Sequence, residues 1–446
     1  MRNLILAIFC LINMPLYLLS PCFAEDQKKP ELGEFITWKS KFGLDERFRY
    51  EYKYNFDFKD SVNDNANVFY NRLKLNADFS LSDEYLNNIA KIFVEGLALD
   101  AGSYKCKIHS TTSGQRDILD LHQAYVAINH IAGSDFNVKV GRQEMKYGKG
   151  RLIAAPTWAN RVRAFDAGVL RYENEVFYGD LLYGEDVKYD DKNLNRSTGG
   201  EYLEGVYVGY NKNKASPLFE FYILKQILNP EFGIVSTKRY TVGPRVQGIT
   251  LFNIAYDIEA PYQFGRLGGT TSGSKDIKAY AFHADLSKSF EGAKLKPNFT
   301  IEYNYASGDH DPNDPRSNTF NPLYQSTHEP YGLMDLFRWQ NMRELALNTT
   351  LTLTEKLKIT PQVNFLWLAS KYDSWYNSSG TALRTKTTGD RDYHVGDEVS
   401  LRAYYDLNQN LKLEAGYAHF FTSNYVKDTG ANDDADWCYS QLSLKY

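Results

Sequence analysis

The sequence predicts an all-β protein: a transmembrane antiparallel β-barrel of the bacterial outer membrane, with about 18 strands. Three observations carry this. The chain opens on an export leader, its remainder is full of period-two alternation, and beyond the leader no apolar run approaches the ~20 residues a spanning helix needs. The aromatic content, 15 % with 34 Tyr and 26 Phe, suits a fold whose outer face meets lipid.

Residues 1–24 read as a signal peptide. Arg2 supplies the positive n-region, "LILAIFCLINMPLYLL" the apolar h-region, and "CFA" before Glu25 the small residues that favour cleavage. Residues 25–446 are expected to form a single barrel domain, since no Ser/Pro-rich linker, long-period repeat or low-complexity block interrupts them. Cleavage removes Arg2 from the 51 basic residues and none of the 55 acids, so the exported chain is slightly acidic. Overall charge therefore points to no nucleic-acid partner. Cys10 and Cys22 leave with the leader; Cys106 and Cys438 remain, enough for one disulfide but not for a disulfide framework.

The strands follow in order. In "FGLDERFRYEYKYN", Phe42, Leu44, Phe48, Tyr50, Tyr52 and Tyr54 share one parity, and Asp45, Arg47, Arg49, Glu51 and Lys53 the other. One face is suited to lipid and the other to water. "RLKLNADFSL" opposes Leu73, Leu75, Ala77, Phe79 and Leu81 to Arg72, Lys74, Asn76 and Asp78. "AYAFHADLS" sets Tyr280, Phe282 and Leu286 against His283 and Asp285, and "FTIEYNYA" sets Phe299, Ile301, Tyr303 and Tyr305 against Glu302 and Asn304. "EVSLRAYYDL" repeats the pattern with Val399, Leu401 and Tyr405 against Glu398, Ser400 and Arg402. The closing "SQLSLKY" alternates up to a terminal aromatic, Tyr446, resembling the signal that outer-membrane insertion machinery reads. Turn-rich stretches such as "SGDHDPNDPRSNTFNP" and "YNSSGTALRTKTTGDRD" are expected to be long extracellular loops. At roughly 20 to 25 residues per strand and connection, the length allows about 16 to 20 strands, and bacterial barrels favour even numbers.

A barrel of this size encloses an aqueous lumen unless loops fill it. Residues 141–171, "GRQEMKYGKGRLIAAPTWANRVRAFDAGVLR", hold seven Lys/Arg (Arg142, Lys146, Lys149, Arg151, Arg161, Arg163, Arg171) against Glu144 and Asp166. With Arg47, Arg49, Arg72 and Lys74 this segment is expected to build a basic constriction, selective for anions. Arg142 shares the parity of Val138 and Val140, so a bulge must reorient it or it lies at the membrane interface. The remaining acids are expected mostly in loops, although Asp257, Asp285, Glu302 and Asp406 fall on lumen-facing parity.

The motif "GRQExxYGxxRL" (Gly141 to Leu152), followed by "WANRVRAFD" from Trp158, resembles the signature of the alginate export family of outer-membrane porins. "ASGDHDPNDPRSNTFNPLY" from Ala306, "GDEVSL" from Gly396, "LKLEAGYAHFFTSNY" and "DADWCYSQLSLKY" extend the resemblance over essentially the whole exported chain. It implies an 18-stranded monomeric barrel that passes an anionic, alginate-like polysaccharide by facilitated diffusion, without covalent chemistry or a cofactor. Arg suits such cargo because its planar fork matches a carboxylate. Arg142, Arg151, Arg161, Arg163 and Arg171 would line the constriction, with Glu144 and Asp166 holding them in position. "FFTSNY" departs from the family pattern at Thr422 and Ser423. The alternative is a general or substrate-specific porin that takes up small anions or other solutes. The partners implied are the solute, membrane lipid, the insertion machinery and a periplasmic secretion scaffold.

Other chemistry is weaker. "DHDPND" clusters oxygens but lacks the Gly and terminal Glu of an EF-hand. No His/Cys pair has zinc spacing. A membrane hydrolase would need an activated nucleophile, for which His283 and Asp285 are the only tempting start, and an ordinary polar lumen pair explains them better. A plugged adhesin-like barrel would be distinguished from a channel by its lack of conductance.

Overall fold

The computed structural model describes residues 36–446 apart from 62–63, 84–88, 104–115, 192, 212–216, 230–235, 269–272, 327, 329 and 385–391. The leader expected over residues 1–24 lies outside the described residues, as does Cys106 and with it the Cys106–Cys438 pairing.

The first ten strands are β1 (Ile36–Tyr54), β2 (Ala66–Asp83), β3 (Ala90–Ser103), β4 (Asp117–Ile128), β5 (Phe136–Gln143), β6 (Phe165–Glu173), β7 (Phe177–Lys188), β8 (Arg196–Tyr210), β9 (Leu218–Leu228) and β10 (Thr237–Ile249). Then come β11 (Ile254–Glu259), β12 (Tyr262–Leu267), β13 (Lys275–Ser289), β14 (Asn298–Ala306), β15 (Arg316–Ser317), β16 (Met342–Thr352) and β17 (Leu357–Trp367). The last are β18 (Trp375–Tyr376), β19 (Ala382–Arg384), β20 (His394–Asp406), β21 (Leu411–Thr422) and β22 (Ala435–Lys445). β11 and β12 are two halves of one wall strand, both paired to β10 and β13 and interrupted where Pro261 has no N–H to give. β15 and the β18–β19 hairpin lie in loops. The wall is therefore an antiparallel barrel of 18 strands. β1 closes it against β22, from Asp45 opposite Lys445 to Tyr54 opposite Asp436, so no strand edge is left open.

The alternation predicts the two faces correctly. Phe42, Phe48, Phe79, Tyr280, Phe282, Phe299, Ile301, Val399 and Leu401 are exposed on the outside, while Arg47, Arg49, Arg72, His283, Asn304, Glu398 and Ser400 are buried inside. Connections at the end holding the start of β1 and the end of β22 are short, such as 174–176 and 250–253, whereas those at the other end include 144–164, 307–341 and 368–393. By the rule for outer-membrane barrels the short turns are periplasmic and the long loops extracellular.

Those long loops fold into the barrel. Segment 150–154 lies beside 324–326 through Ala154 N–H to Tyr324 O at 2.9 Å, Tyr324 N–H to Leu152 O at 2.8 Å and Ser326 N–H to Gly150 O at 2.9 Å. Phe58, Leu152, Phe320, Leu336, Phe337, Trp339, Trp375 and Phe420 form an apolar core inside the wall, and the Trp375 indole N–H donates to Leu336 O at 2.9 Å. Each fully buried side chain of this size contributes about 2 kcal/mol to holding the loops inward.

One expectation is corrected here. The acids do not lie mostly in loops: Glu51, Asp180, Glu220, Asp257, Glu259, Glu344 and Glu398 are buried on wall strands. Once loops displace water from the lumen, buried cations on the wall need carboxylates or carbonyls close by, and acids on the same strands supply them.

Candidate functional site

The site begins where the inserted loop meets the β1–β2 wall. Period two places Arg47 and Arg49 two residues apart on the inner face of β1, and Arg72 occupies the inner face of β2. Arg47 donates through Nη1 to Thr157 O and Trp158 O, both at 2.8 Å, and through Nη2 to Asn160 Oδ1 at 3.2 Å. Arg72 Nη1 donates to Thr157 O at 2.7 Å and Arg49 Nη1 to Trp158 O at 2.5 Å. The Trp158 ring stacks on His328 with centroids 4.0 Å apart and lies 3.9 Å from the Arg49 guanidinium carbon.

Beyond this contact lies a cavity of about 530 Å³, lined by Arg49, Lys53, Arg161, Arg163 and Arg338 against Glu51, Asp186 and Asp335. The acids are already engaged. Glu51 pairs with Arg49 at 2.8 Å, Asp335 with His328 at 2.9 Å, and Asp186 faces Arg163 at 3.7 Å. Among the described residues no carboxylate lies within ion-pair distance of Arg161 or Arg338. Arg161 lies over the Tyr189 ring at 4.4 Å. Burial, then the neighbouring Arg163 charge, pulls the Arg338 pKa down to about 10, so the group remains cationic at neutral pH at a cost that an anion would relieve.

The other residues singled out in the sequence are distributed around the wall. Lys74 binds Glu144 at 2.8 Å and Glu95 at 3.2 Å, and His122 Nε2 lies 2.8 Å from Glu144 Oε1. Burial alone would raise the Glu144 pKa, yet the His122 hydrogen bond and Lys74 outweigh it and bring it to about 2. Glu144 thus steadies a lysine and a histidine, where an arginine was expected. Arg142 and Asp166 pair at 2.8 Å in direct register between β5 and β6, and neither lines the cavity. Gly141 has φ +129°, but no bulge interrupts the register of this segment with β4 or β6, so Arg142 keeps the parity of Val138 and Val140. Arg171 pairs with Asp180 at 2.6 Å, also away from the cavity. Arg151, at the inserted tip, enters a wall nest between Asp257 at 3.4 Å and Glu259 at 3.3 Å, against His283.

Two cations escaped the sequence reading. Arg338 lies in a loop without periodicity, so nothing in its neighbourhood marks it. Arg239 does share inner parity with Thr241 and Arg245 on β10, and that parity could have found it; its Nη1 donates to Gln226 Oε1 at 2.5 Å.

Two clusters have the donor set of a metal site, Glu95–His122–Glu144 and Asp257–His283–Asp285. Each already encloses a cationic side chain, Lys74 in the first and Arg151 in the second, so neither fits a metal without displacing it. His283 contacts Asn304, Asp285 and Arg151. No serine accompanies them, and the pair belongs to the wall network.

A closed 18-stranded barrel with an apolar outer band, short turns at one end and inserted loops at the other has the architecture of an outer-membrane channel. The alginate export family model matches residues 38–439, and the chain belongs to that family. Solved structures share the fold. OccAB1 of Acinetobacter baumannii superposes with a TM-score of 0.61 at 11% identity, covering 91% of this chain and 96% of that one. OccK2 (OpdF) of Pseudomonas aeruginosa gives 0.58 at 12% identity, covering 91% and 97%. Pseudomonas aeruginosa OpdK, solved with vanillate, gives 0.58 at 11% identity, covering 91% and 98%. No curated protein matches the sequence.

Proposed function

We propose that this channel conducts carboxylate-bearing solutes past Arg161, Arg163 and Arg338, and that its cargo is an alginate-like polyuronate moving by facilitated diffusion. The observation that carries this reading is the cavity in which Arg161 and Arg338 have no carboxylate partner among the described residues. Partly desolvated cations of this kind attract anions far more strongly than hydrated surface lysines do. Direction would come from synthesis on one side of the membrane, since a passive pore has none of its own.

A second reading, entry of small anionic solutes, is favoured by the apolar packing of Phe337, Trp339 and Trp375 inside the wall, since loops that occupy part of the lumen suit a small solute better than a polymer. The vanillate-bound OpdK, a fold relative, carries a small aromatic carboxylate.

The test is the reversal potential of the purified protein in a planar bilayer under a KCl gradient, with and without an oligo-uronate. Anion preference with concentration-dependent block supports the polyuronate reading. Anion preference without block by the oligo-uronate, but with block by small carboxylates, moves the second reading to first place. Cation preference sinks both.

A further inference from the structure

The contact between wall and inserted loop has an unusual chemistry. Arg47 and Arg72 converge on one short stretch of irregular backbone, yet neither lines the cavity and Arg47 has no carboxylate within ion-pair distance among the described residues. Their Nη1 donors go to main-chain oxygens, while Arg72 Nη2 lies 3.9 Å from Asp45 Oδ1. Thr157 O accepts from both guanidiniums, and Trp158 O from both Arg47 and Arg49. Asn160 completes the contact from the loop side, since its amide accepts from Arg47 and donates to Asn71 O and Asp100 O on β2 and β3, each at 3.2 Å.

The Arg47 guanidinium spans four successive residues, with Nη1 on Thr157 O and Trp158 O and Nη2 on Ala159 O at 3.4 Å and on Asn160 Oδ1. Its planar fork fixes the direction of each peptide, which a single ammonium cannot do. Arg161 and Arg163, which follow immediately, line the cavity together with Trp158, Ala159 and Asn160. Their aim therefore depends on how peptides 157–160 are held.

We infer that Arg47 and Arg72 are positioning residues: they clamp the 157–160 backbone to the wall and thereby aim Arg161 and Arg163 into the path, without contacting the solute themselves. The inference rests on the anion-channel reading above, but it makes a claim that charge alone does not. A path that merely needed positive charge on the wall would accept lysine at these two positions. A clamp would not.

The experiment is the double variant R47K/R72K, which conserves charge and removes the fork, recorded beside wild type as single channels with oligo-uronate added. The heat-modifiable gel shift of a folded barrel is the check on assembly. The clamp predicts raised open-channel noise and block weakened by about tenfold, the size of one lost charge-assisted hydrogen bond. Wild-type noise and block in R47K/R72K would overturn it. N160A, which changes no charge, should shift noise in the same direction and keeps the inference testable if the double variant fails to assemble; an N160A channel with wild-type noise and block also counts against the clamp. Failure of the underlying reading looks different. R161Q/R163Q would then leave the reversal potential unmoved, whereas the noise comparison in R47K/R72K would stand.

Discussion

Arg338 shows how one side chain can depend on a residue far from it in sequence. Gly380 approaches so closely that an added Cβ would lie 2.0 Å from Arg338 Nη1, and its φ of +89° is one that glycine adopts without strain. Gly380→Ala should therefore move Arg338 out of the cavity and shift the reversal potential toward the cation side, while the barrel still shows its heat-modifiable gel band. Arg338→Gln should give the same electrical shift without backbone strain, and Asp311→Asn, exposed in loop 307–341, should give none. If all three substitutions shift the potential equally, local charge in the cavity is not what selects. Gly332 plays a comparable part for the loop backbone. At φ +85° it lets Leu333 N–H and Met334 N–H donate to the Glu398 carboxylate, at 2.6 and 3.1 Å, where a Cβ would strike that carboxylate.

The inserted loop 144–164 is fixed at base, tip and exit by different chemistry. At the tip, Arg151→Met would leave Asp257 and Glu259 without one of their cations, which for a buried pair costs about 3 kcal/mol. Expected is a lower unfolding temperature in detergent, with the wall strands still assembling. At the base, Glu144 has a folded pKa of about 2 against an ordinary 4.5, so its stabilisation is complete above pH 4.5 and is lost as pH falls toward about 2. Trp158 fluorescence followed from pH 6 to pH 2 should report loosening only at the acid end, and Glu144→Gln should remove that pH dependence. The wall was legible in the sequence because burial on one face imposes a period of two: Arg47, Arg49, Arg72 and Lys74 were placed inward by parity alone. The loop residues were not legible in this way. That Arg161 enters the cavity while Arg151 meets Asp257 and Arg142 meets Asp166 depends on where an irregular backbone lands, and no local pattern encodes it. Composition showed a basic segment; only the fold shows which of its charges are already neutralised.

For the whole molecule, selectivity and stability respond differently to salt. On the proposed reading, anion preference comes from the cavity's few unpaired cations and should decline as KCl rises from about 0.1 to 1 M, over which the screening length falls from ~10 to ~3 Å. Resistance to unfolding should change little over the same range, because pairs that hold the loop to the wall, such as Arg151 with Asp257 and Glu259, are buried. Parallel salt titrations of reversal potential and unfolding temperature check this; equal sensitivity would mean that the loop contacts are solvated. The seam of the barrel has a consequence for biogenesis. Because β1 pairs with β22, the two unpaired edges of the growing sheet cannot eliminate each other until the last strand is delivered, however much of the wall has already zipped together. A nascent or truncated chain is thus a two-edged ribbon with an apolar flank, and closure of its wall is a single late event at the join of the first and last strands.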